Sequence, residues 1–345
     1  MPLSPPVTRL LTALCFSAAA AAAVPPHQAG LDSALEQIAA QHYASAAQGL
    51  EELLRQYPAE PALLYHRLTV LQTMLLDYES YPIHGRAFLE TADSVIAALE
   101  ACLPGLRGRD SVECLFYLGN ATGSEGLVYG KLGKWLQAVR YGVRSRNMLE
   151  TVIERDPEFY AAHLGVGAYN YYLGEGLKWL PFTGGRAVEG LREIRVATQA
   201  PFPYDIGAKN TLCWIMLDRG EHAGADSIAG AVLAAMPRNT IFMRIAVCAA
   251  LAAEGWDSAA ARGRRLVELS VGRDPVNWND ALTGYAAMVE AYAATGRIAE
   301  CRQAATEALA LRVPLEYRAI PYVDEHRGRI RKLLEGLDDK ETRER

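Results

Sequence analysis

The sequence lacks most of the patterns that signal β structure, a zinc site or a hydrolase. Val, Ile and Thr rarely alternate with polar residues and neither Asn-Gly nor Asp-Gly occurs, so β-hairpins are not expected. No two histidines stand four residues apart, and H-E-x-x-H and H-x-H are absent, so the sequence does not predict a zinc site. G-x-S-x-G is absent as well, which removes support for a hydrolase nucleophile elbow. We therefore expect no cofactor or metal.

An excess of positive charge is also missing. The chain has 345 residues, of which 40 are acidic and 35 basic, and its formal net charge is −5. Nucleic-acid-binding proteins are usually basic or carry a basic stripe, so no nucleic-acid partner is expected. Half of the residues are hydrophobic, which is enough to build a sizeable core.

The N-terminal segment resembles a secretory signal peptide. Arg9 precedes the apolar run Leu10–Val24, in which Ala21 and Ala23 occupy the A-x-A positions before a cleavage site. The run is too short to cross a bilayer comfortably, and we expect no transmembrane segment after it. Cys15 follows a leucine, which does not fit a lipoprotein signal. The sequence thus predicts cleavage after residue 23 and a periplasmic or extracellular protein.

The remainder of the chain has helical periodicity and an internal repeat. Apolar residues recur at i, i+3, i+4 and i+7, which is typical of α-helices. A turn glycine is followed five residues later by a small residue in four places: Gly133 and Ala138, Gly220 and Ala225, Gly255 and Ala260, Gly296 and Cys301. Ala46 precedes Pro58 by the same interval that separates Ala225 from Pro237. A tight turn favours glycine, and a close helix crossing admits only a small side chain.

These residues resemble the tetratricopeptide repeat (TPR), whose pattern places Gly, Tyr, Ala and Pro at such spacings. The resemblance covers residues 31–60, 113–157, 206–239, 241–275 and 282–314, and is weaker around Ala92. It implies an all-α, right-handed solenoid of about six helical hairpins. We expect this solenoid over residues 24–336, closed by a helix at Pro321–Glu335, and a charged, solvated tail over 337–345.

A divergent, aromatic-rich block occupies residues 158–200. It combines a helix rich in Gly and Tyr, an apolar segment, a glycine turn and the pair Gly190-Leu191. Together with the preceding repeat, over residues 113–200, it is similar to the Iml2-like TPR family and its exported bacterial relatives. This resemblance implies the fold more than an activity.

The first helix of each hairpin should line a concave groove. Counting from the small packed residue, positions −6, −3, +1 and +4 face inwards. The candidate groove residues are Asn120, Gly123, Tyr169, Asn170, Tyr171, Asn210, Trp214 and Phe242. Asn side chains can pair with a peptide backbone, and Trp and Phe are typical anchors. Trp214 and Phe242 could equally be packing between helices.

Two further candidate sites remain. Thr183, Gly184, Gly185 and Arg186 could hold an anion at a helix start, or could simply cap that helix. Cys102 and Cys114 flank a loop and form a candidate disulfide in an oxidising compartment. The other cysteines after the signal, Cys213, Cys248 and Cys301, are expected to be buried small hydrophobic residues.

These features favour a non-catalytic exported scaffold that holds a protein or peptide partner in its groove. One alternative is a protein that binds a small apolar or lipid ligand through the segment Tyr169–Phe182. Another is an α/α-toroid enzyme acting on polysaccharide, which needs carboxylates converging from several helices. Glu290 is the only acidic residue that the repeat register places in the groove.

Overall fold

The computed structural model describes residues 25–176 and 184–344. Over these residues the chain is all-α, as the periodicity predicts, and forms fifteen α-helices. They are α1 Gln28–Ala39, α2 Tyr43–Gln56, α3 Pro61–Tyr78, α4 Tyr81–Cys102, α5 Gly108–Lys131, α6 Trp135–Arg155, α7 Ala162–Gly176, α8 Gly184–Ala197, α9 Tyr204–Asp218, α10 His222–Ala235, α11 Thr240–Ala252, α12 Trp256–Val271, α13 Trp278–Ala294, α14 Ile298–Ala310 and α15 Pro321–Glu344.

Consecutive helices pack in pairs and build a TPR-like solenoid. The pairs run from α1–α2 to α13–α14, and α15 packs on the last pair. The described residues thus contain seven hairpins, one more than the repeat pattern predicts. The additional pair is α3–α4, with helices of 18 and 22 residues, and it contains Ala92, around which the repeat signature is weak.

The described turns within the hairpins use left-handed backbone conformations. Gly133, Gly220 and Gly296 have φ of 74°, 76° and 71°, a region that glycine adopts without strain. Gln41 takes the same role between α1 and α2, with φ of 64°. Between α11 and α12 the left-handed residue is Glu254. Gly255, which the repeat pattern predicts as the turn glycine, follows it by one position and caps α12.

Small residues lie where the helices of a pair cross. Ala46, Ala225, Ala260 and Cys301 are all buried, which confirms the equivalent positions predicted for the second helix. The backbones of α7 and α8 approach closely. A Cβ on Gly190 would lie 2.5 Å from the carbonyl oxygen of Gly167, so these two helices pack backbone against backbone.

The C-terminal helix is longer than expected. The predicted helix ends at Glu335, whereas α15 continues to Glu344 and takes up the segment expected as a charged tail. Glu, Lys and Arg are good helix formers, which explains the continuation. No helix among the described residues is long and apolar enough to cross a membrane. The signal peptide predicted over 1–23 lies outside the described residues.

Candidate functional site

The solenoid closes on itself through a buried polar cluster around the C-terminus of α3. We call Asp77, Arg244, Arg273, Asn277 and Asp280 the closure cluster. Asp77, Asn277 and Asp280 have no solvent exposure and Arg244 has 5%. Asn277 lies 200 positions from Asp77, so the cluster joins the second hairpin to the last two.

Asp77 is the centre of this cluster. Its Oδ2 accepts hydrogen bonds from Gln41 Nε2 at 2.8 Å and Tyr43 OH at 2.7 Å, and Arg273 Nη2 lies 2.8 Å from the same oxygen. Its Oδ1 accepts from Thr240 Oγ1 at 3.1 Å and from Asn277 Nδ2 at 3.2 Å. The carboxylate is therefore fully engaged by donors from three separate parts of the chain.

Arg244 supplies the second half of the cluster. It donates to Asp280 Oδ1 at 2.7 Å and to the α3 carbonyls of Leu76 and Asp77 at 3.2 and 3.0 Å. Burial disfavours its charge, but the carboxylates of Asp280, Glu79 and Asp77 outweigh this and raise its pKa. Burial raises the pKa of Asp280 to about 6, against the lowering effect of Arg244. With its hydrogen bonds so fully paired, the cluster can hold the fold closed.

Aromatic side chains fill the inner side at the start of α3. Tyr65 stacks on Tyr117 of α5 at 5.0 Å between ring centroids, and Phe116 meets Tyr204 of α9 edge to face. His66 Nε2 lies 3.2 Å from the hydroxyl of Tyr204, and burial lowers the pKa of His66 to about 3. The low pKa keeps this imidazole neutral at pH 7, and the aromatic contacts join α3 to α5 and α9.

Three of the predicted groove residues are buried. Phe242 has no exposure and packs in a core with α9 and α10, so its prediction as a partner contact is wrong. Tyr171 is buried against α8 and Asn210 is 8% exposed. The repeat register misplaces Phe242 and Tyr171 because helices of the same and adjacent hairpins bury them. Asn210 Oδ1 has no hydrogen-bond partner among the described residues.

Most of the other predicted groove residues contact neighbouring helices. Asn120 Nδ2 donates to the carbonyl of Phe116 on its own helix at 3.1 Å. A Cβ on Gly123 would lie 2.7 Å from Ser145 Oγ of α6, so Gly123 faces its hairpin partner. Tyr169 packs on Gly142 of α6. Asn170, the next residue in the chain, is half-buried. Gly123 and Tyr169 are therefore packing residues rather than groove residues.

Three side chains on alternate helices remain accessible. Leu127 of α5 is 42% exposed, Tyr172 of α7 is 56% exposed, and Trp214 of α9 is half-buried. Leu127 and Trp214 both follow the packed small residue of their repeat by one position, so they project in equivalent directions. Tyr172 lies near Asp218 at the end of α9. Burial raises the pKa of Tyr172, and the charge of Asp218 raises it further. We call Leu127, Tyr172 and Trp214 the inner patch.

The inner patch was only partly predictable. Trp214 was predicted, and the +1 register position would also have identified Leu127. The corresponding position in α13 is Glu290, which forms a salt bridge to Arg329 of α15 at 2.6 Å. The corresponding residue in α11, Ala249, is buried. The accessible stretch therefore runs along α5, α7 and α9.

The anion site and the cysteines have different outcomes. Thr183 lies outside the described residues, Gly184 begins α8, and Gly185 and Arg186 are exposed, so the anion site stays a prediction.

The candidate disulfide is not formed, since Cys102 and Cys114 are both free thiols. Cys114 Sγ instead contacts the carbonyl of Leu99, and burial raises the pKa of its thiol to about 11.

Comparison with known proteins gives structural neighbours only. No family model and no curated protein matches the chain. The structure of Rap protein complexed with Competence and Sporulation Factor matches 90% of this chain and 86% of its own, with a TM-score of 0.51 and 11% identity. The C-terminal part of a TPR repeat-containing protein from Cytophaga hutchinsonii matches 85% of this chain and 99% of its own, with a TM-score of 0.41 and 15% identity.

A tetratricopeptide repeat protein from Parabacteroides merdae ATCC 43184 also matches, over 88% of this chain and 98% of its own, with a TM-score of 0.39 and 13% identity. At such low identities a likeness concerns the fold alone. The Rap structure supports the solenoid architecture derived above from the helix pairs.

Proposed function

We propose that this protein is an exported, non-catalytic TPR scaffold that holds a peptide or protein segment on its inner patch. The observation that carries the proposal is the repetition of an accessible apolar side chain at equivalent positions of α5 and α9, with Tyr172 of α7 between them in the chain. A row of anchors on successive first helices suits an extended ligand, because stacked repeats present a continuous surface. Large aromatic side chains supply most of the energy in such recognition.

Charged groups border the inner patch. Lys131, one turn after Leu127, forms a salt bridge to Glu79 at 3.3 Å, and Asp218 lies one turn after Trp214. Such groups can fix the direction of a bound segment while the anchors supply affinity. The solved neighbour with the same architecture, Rap protein, is itself complexed with a factor, which is consistent with a scaffold role here.

The test is selection from a phage-displayed random peptide library on the chain from residue 24. Peptides selected on the wild type should bind Tyr172→Ala at least tenfold more weakly. Tyr172 is more than half exposed, so this change should leave folding intact. Trp214→Ala should weaken the binding of the same peptides more than Tyr172→Ala does.

The matched control is Val188→Ala, which removes an exposed apolar side chain from α8, a helix that carries no residue of the inner patch. It should bind like the wild type. The proposal is refuted if no peptide is selected, or if the selected peptides bind Tyr172→Ala and Trp214→Ala as tightly as the wild type.

Export is the second part of the proposal, and the signal-peptide pattern before residue 24 supports it. The test is mass spectrometry of the N-terminus of the full chain produced in a bacterial host and recovered from the periplasm. A mature N-terminus at Val24 is expected. Recovery of uncleaved protein in the cytoplasm alone would contradict export.

A further inference from the structure

The outward side of α6 exposes an apolar stripe. Leu136 is 87% exposed, Val139 50% and Val143 38%, and Trp135 at the helix start is 70% exposed. The spacing of Leu136, Val139 and Val143 places them on one side of the helix, opposite the buried Leu149 and its neighbours. We call these four side chains the α6 outer face. Their exposure is not needed for the hairpin packing, which uses the other side of α6.

This stripe lies in the most basic part of the chain. Between Gly126 and Leu149 there is no acidic residue, although the whole chain carries a net charge of −5. The same segment has five basic residues: Lys131, Lys134, Arg140, Arg144 and Arg146.

Three of the five basic residues are neutralised within the fold. Lys131 pairs with Glu79, Arg144 with Glu100 of α4, and Arg146 with Glu150. Lys134 and Arg140 are exposed and form no salt bridge within the described part of the chain. Arg140 lies between Val139 and Val143 in the chain and flanks the α6 outer face, whereas Lys134, directly before Trp135, holds its ammonium 5.7 Å from the centroid of the Tyr129 ring.

We infer that the α6 outer face is a peripheral docking surface for an anionic lipid bilayer. Its apolar side chains would enter the interface between headgroups and acyl chains, and Lys134 and Arg140 would contact lipid phosphates. Helices that lie in a membrane surface combine Trp and Leu with flanking Lys and Arg in this way. Trp is also favoured at the level of the headgroups.

The charge pattern favours a bilayer over a second copy of the chain. A symmetric dimer through this face would bring Lys134 and Arg140 towards the same groups of the partner, with no free carboxylate between Gly126 and Leu149 to compensate them. An anionic bilayer compensates both cations and requires no pocket for the apolar side chains. The face is an outward stripe on one helix, as a flat lipid surface requires.

The test is co-sedimentation of the chain from residue 24 with lipid vesicles. This chain contains every described helix and lacks the apolar N-terminal segment, which would bind lipid by itself. Binding is expected to vesicles of phosphatidylcholine containing a quarter of phosphatidylglycerol, and should fall at high salt and on vesicles of phosphatidylcholine alone. Each of Lys134→Ala and Arg140→Ala should weaken binding about fivefold, the effect of one basic group near an anionic surface.

The apolar contribution is tested with Leu136→Glu/Val143→Glu, which should abolish sedimentation. The matched control is Val188→Glu/Leu315→Glu, which places two carboxylates at exposed apolar positions outside α6 and should bind like the wild type. Circular dichroism melting of every variant checks that folding is preserved.

The inference is overturned if the wild type does not bind the anionic vesicles, or if both double variants bind equally well. It is also overturned if light scattering finds a dimer that Leu136→Glu/Val143→Glu dissociates, because the occupant is then a second copy. Peptide selection on the inner patch uses other residues, so its failure and the failure of lipid binding are distinguishable.

Discussion

Asp77→Asn is the substitution that tests whether the closure cluster holds the solenoid shut. It keeps the volume of the side chain and removes its charge. The carboxylate oxygens of Asp77 receive hydrogen bonds from Gln41, Tyr43, Thr240 and Asn277, and the guanidinium of Arg273 lies at 2.8 Å. In either orientation, the new amide NH2 group would face at least two of these donors.

The expected loss of stability follows from the burial of the remaining cation. The side chain of Arg273 is 15% exposed, so it would stay mostly desolvated and lose its carboxylate. Removing one partner of a buried pair costs about 3–5 kcal/mol. Because a domain is stabilised by only about 5–15 kcal/mol, we expect a large fall in the free energy of unfolding.

Urea unfolding followed by circular dichroism measures this change, and hydrogen exchange at the amide of Thr240 reports the closure itself. That amide donates to Gln41 Oε1 at 2.8 Å across the junction, so it should exchange faster in Asp77→Asn. The control is Asp257→Asn, whose carboxylate is 92% exposed and pairs with Arg297; surface pairs contribute about 0–1 kcal/mol. The reasoning is refuted if Asp77→Asn costs no more than the control and leaves Thr240 protected.

Two further predictions concern buried groups. Burial raises the pKa of Glu125 from 4.5 to about 8, so the folded state binds a proton that the unfolded state releases, and stability should fall as pH rises between these values. Glu125→Gln should therefore raise the melting temperature more at pH 8 than at pH 5, whereas the exposed Glu36→Gln should not; an equal effect at both pH values would contradict this. Gly190→Ala should destabilise the protein by about 1–3 kcal/mol in chemical denaturation, because its Cβ meets the α7 backbone. Gly230→Ala, with open space at its Cβ, should be neutral or stabilising, and equal effects of the two substitutions would rule out the close α7–α8 approach.

The repeat fold could be predicted from sequence because its determinants are local. A left-handed turn at Gly220 and a packed Ala225 act within one hairpin, so their spacing appears directly in the chain. The pair α3–α4 lacked such a signal because the residue five positions after the left-handed Glu79 is His84, whereas Ala46 stands five positions after Gln41. Hairpins are therefore predictable one at a time, where a small packed residue follows the turn at this interval.

The closure could not be predicted in this way. Asp77 and Arg244 belong to no motif, and they meet because several hairpins accumulate enough curvature to bring α3 against α11 and α13. Phe242, which the repeat register placed in a groove, is instead buried against α9 and α10 of the preceding hairpin. The closure is therefore a property of the whole superhelix, whereas the burial of Phe242 comes from packing between adjacent hairpins.

The end of α3 connects the closure cluster to the inner patch. Asp77 anchors the cluster, and two residues later Glu79 forms its salt bridge to Lys131, one turn from Leu127. A partner that binds the inner patch more tightly in the closed form than in an open one stabilises the closure by that ratio of affinities, and by thermodynamic reciprocity opening the closure weakens its binding by the same factor. Glu79 would carry this coupling, because it follows Asp77 by two residues and contacts Lys131 beside Leu127.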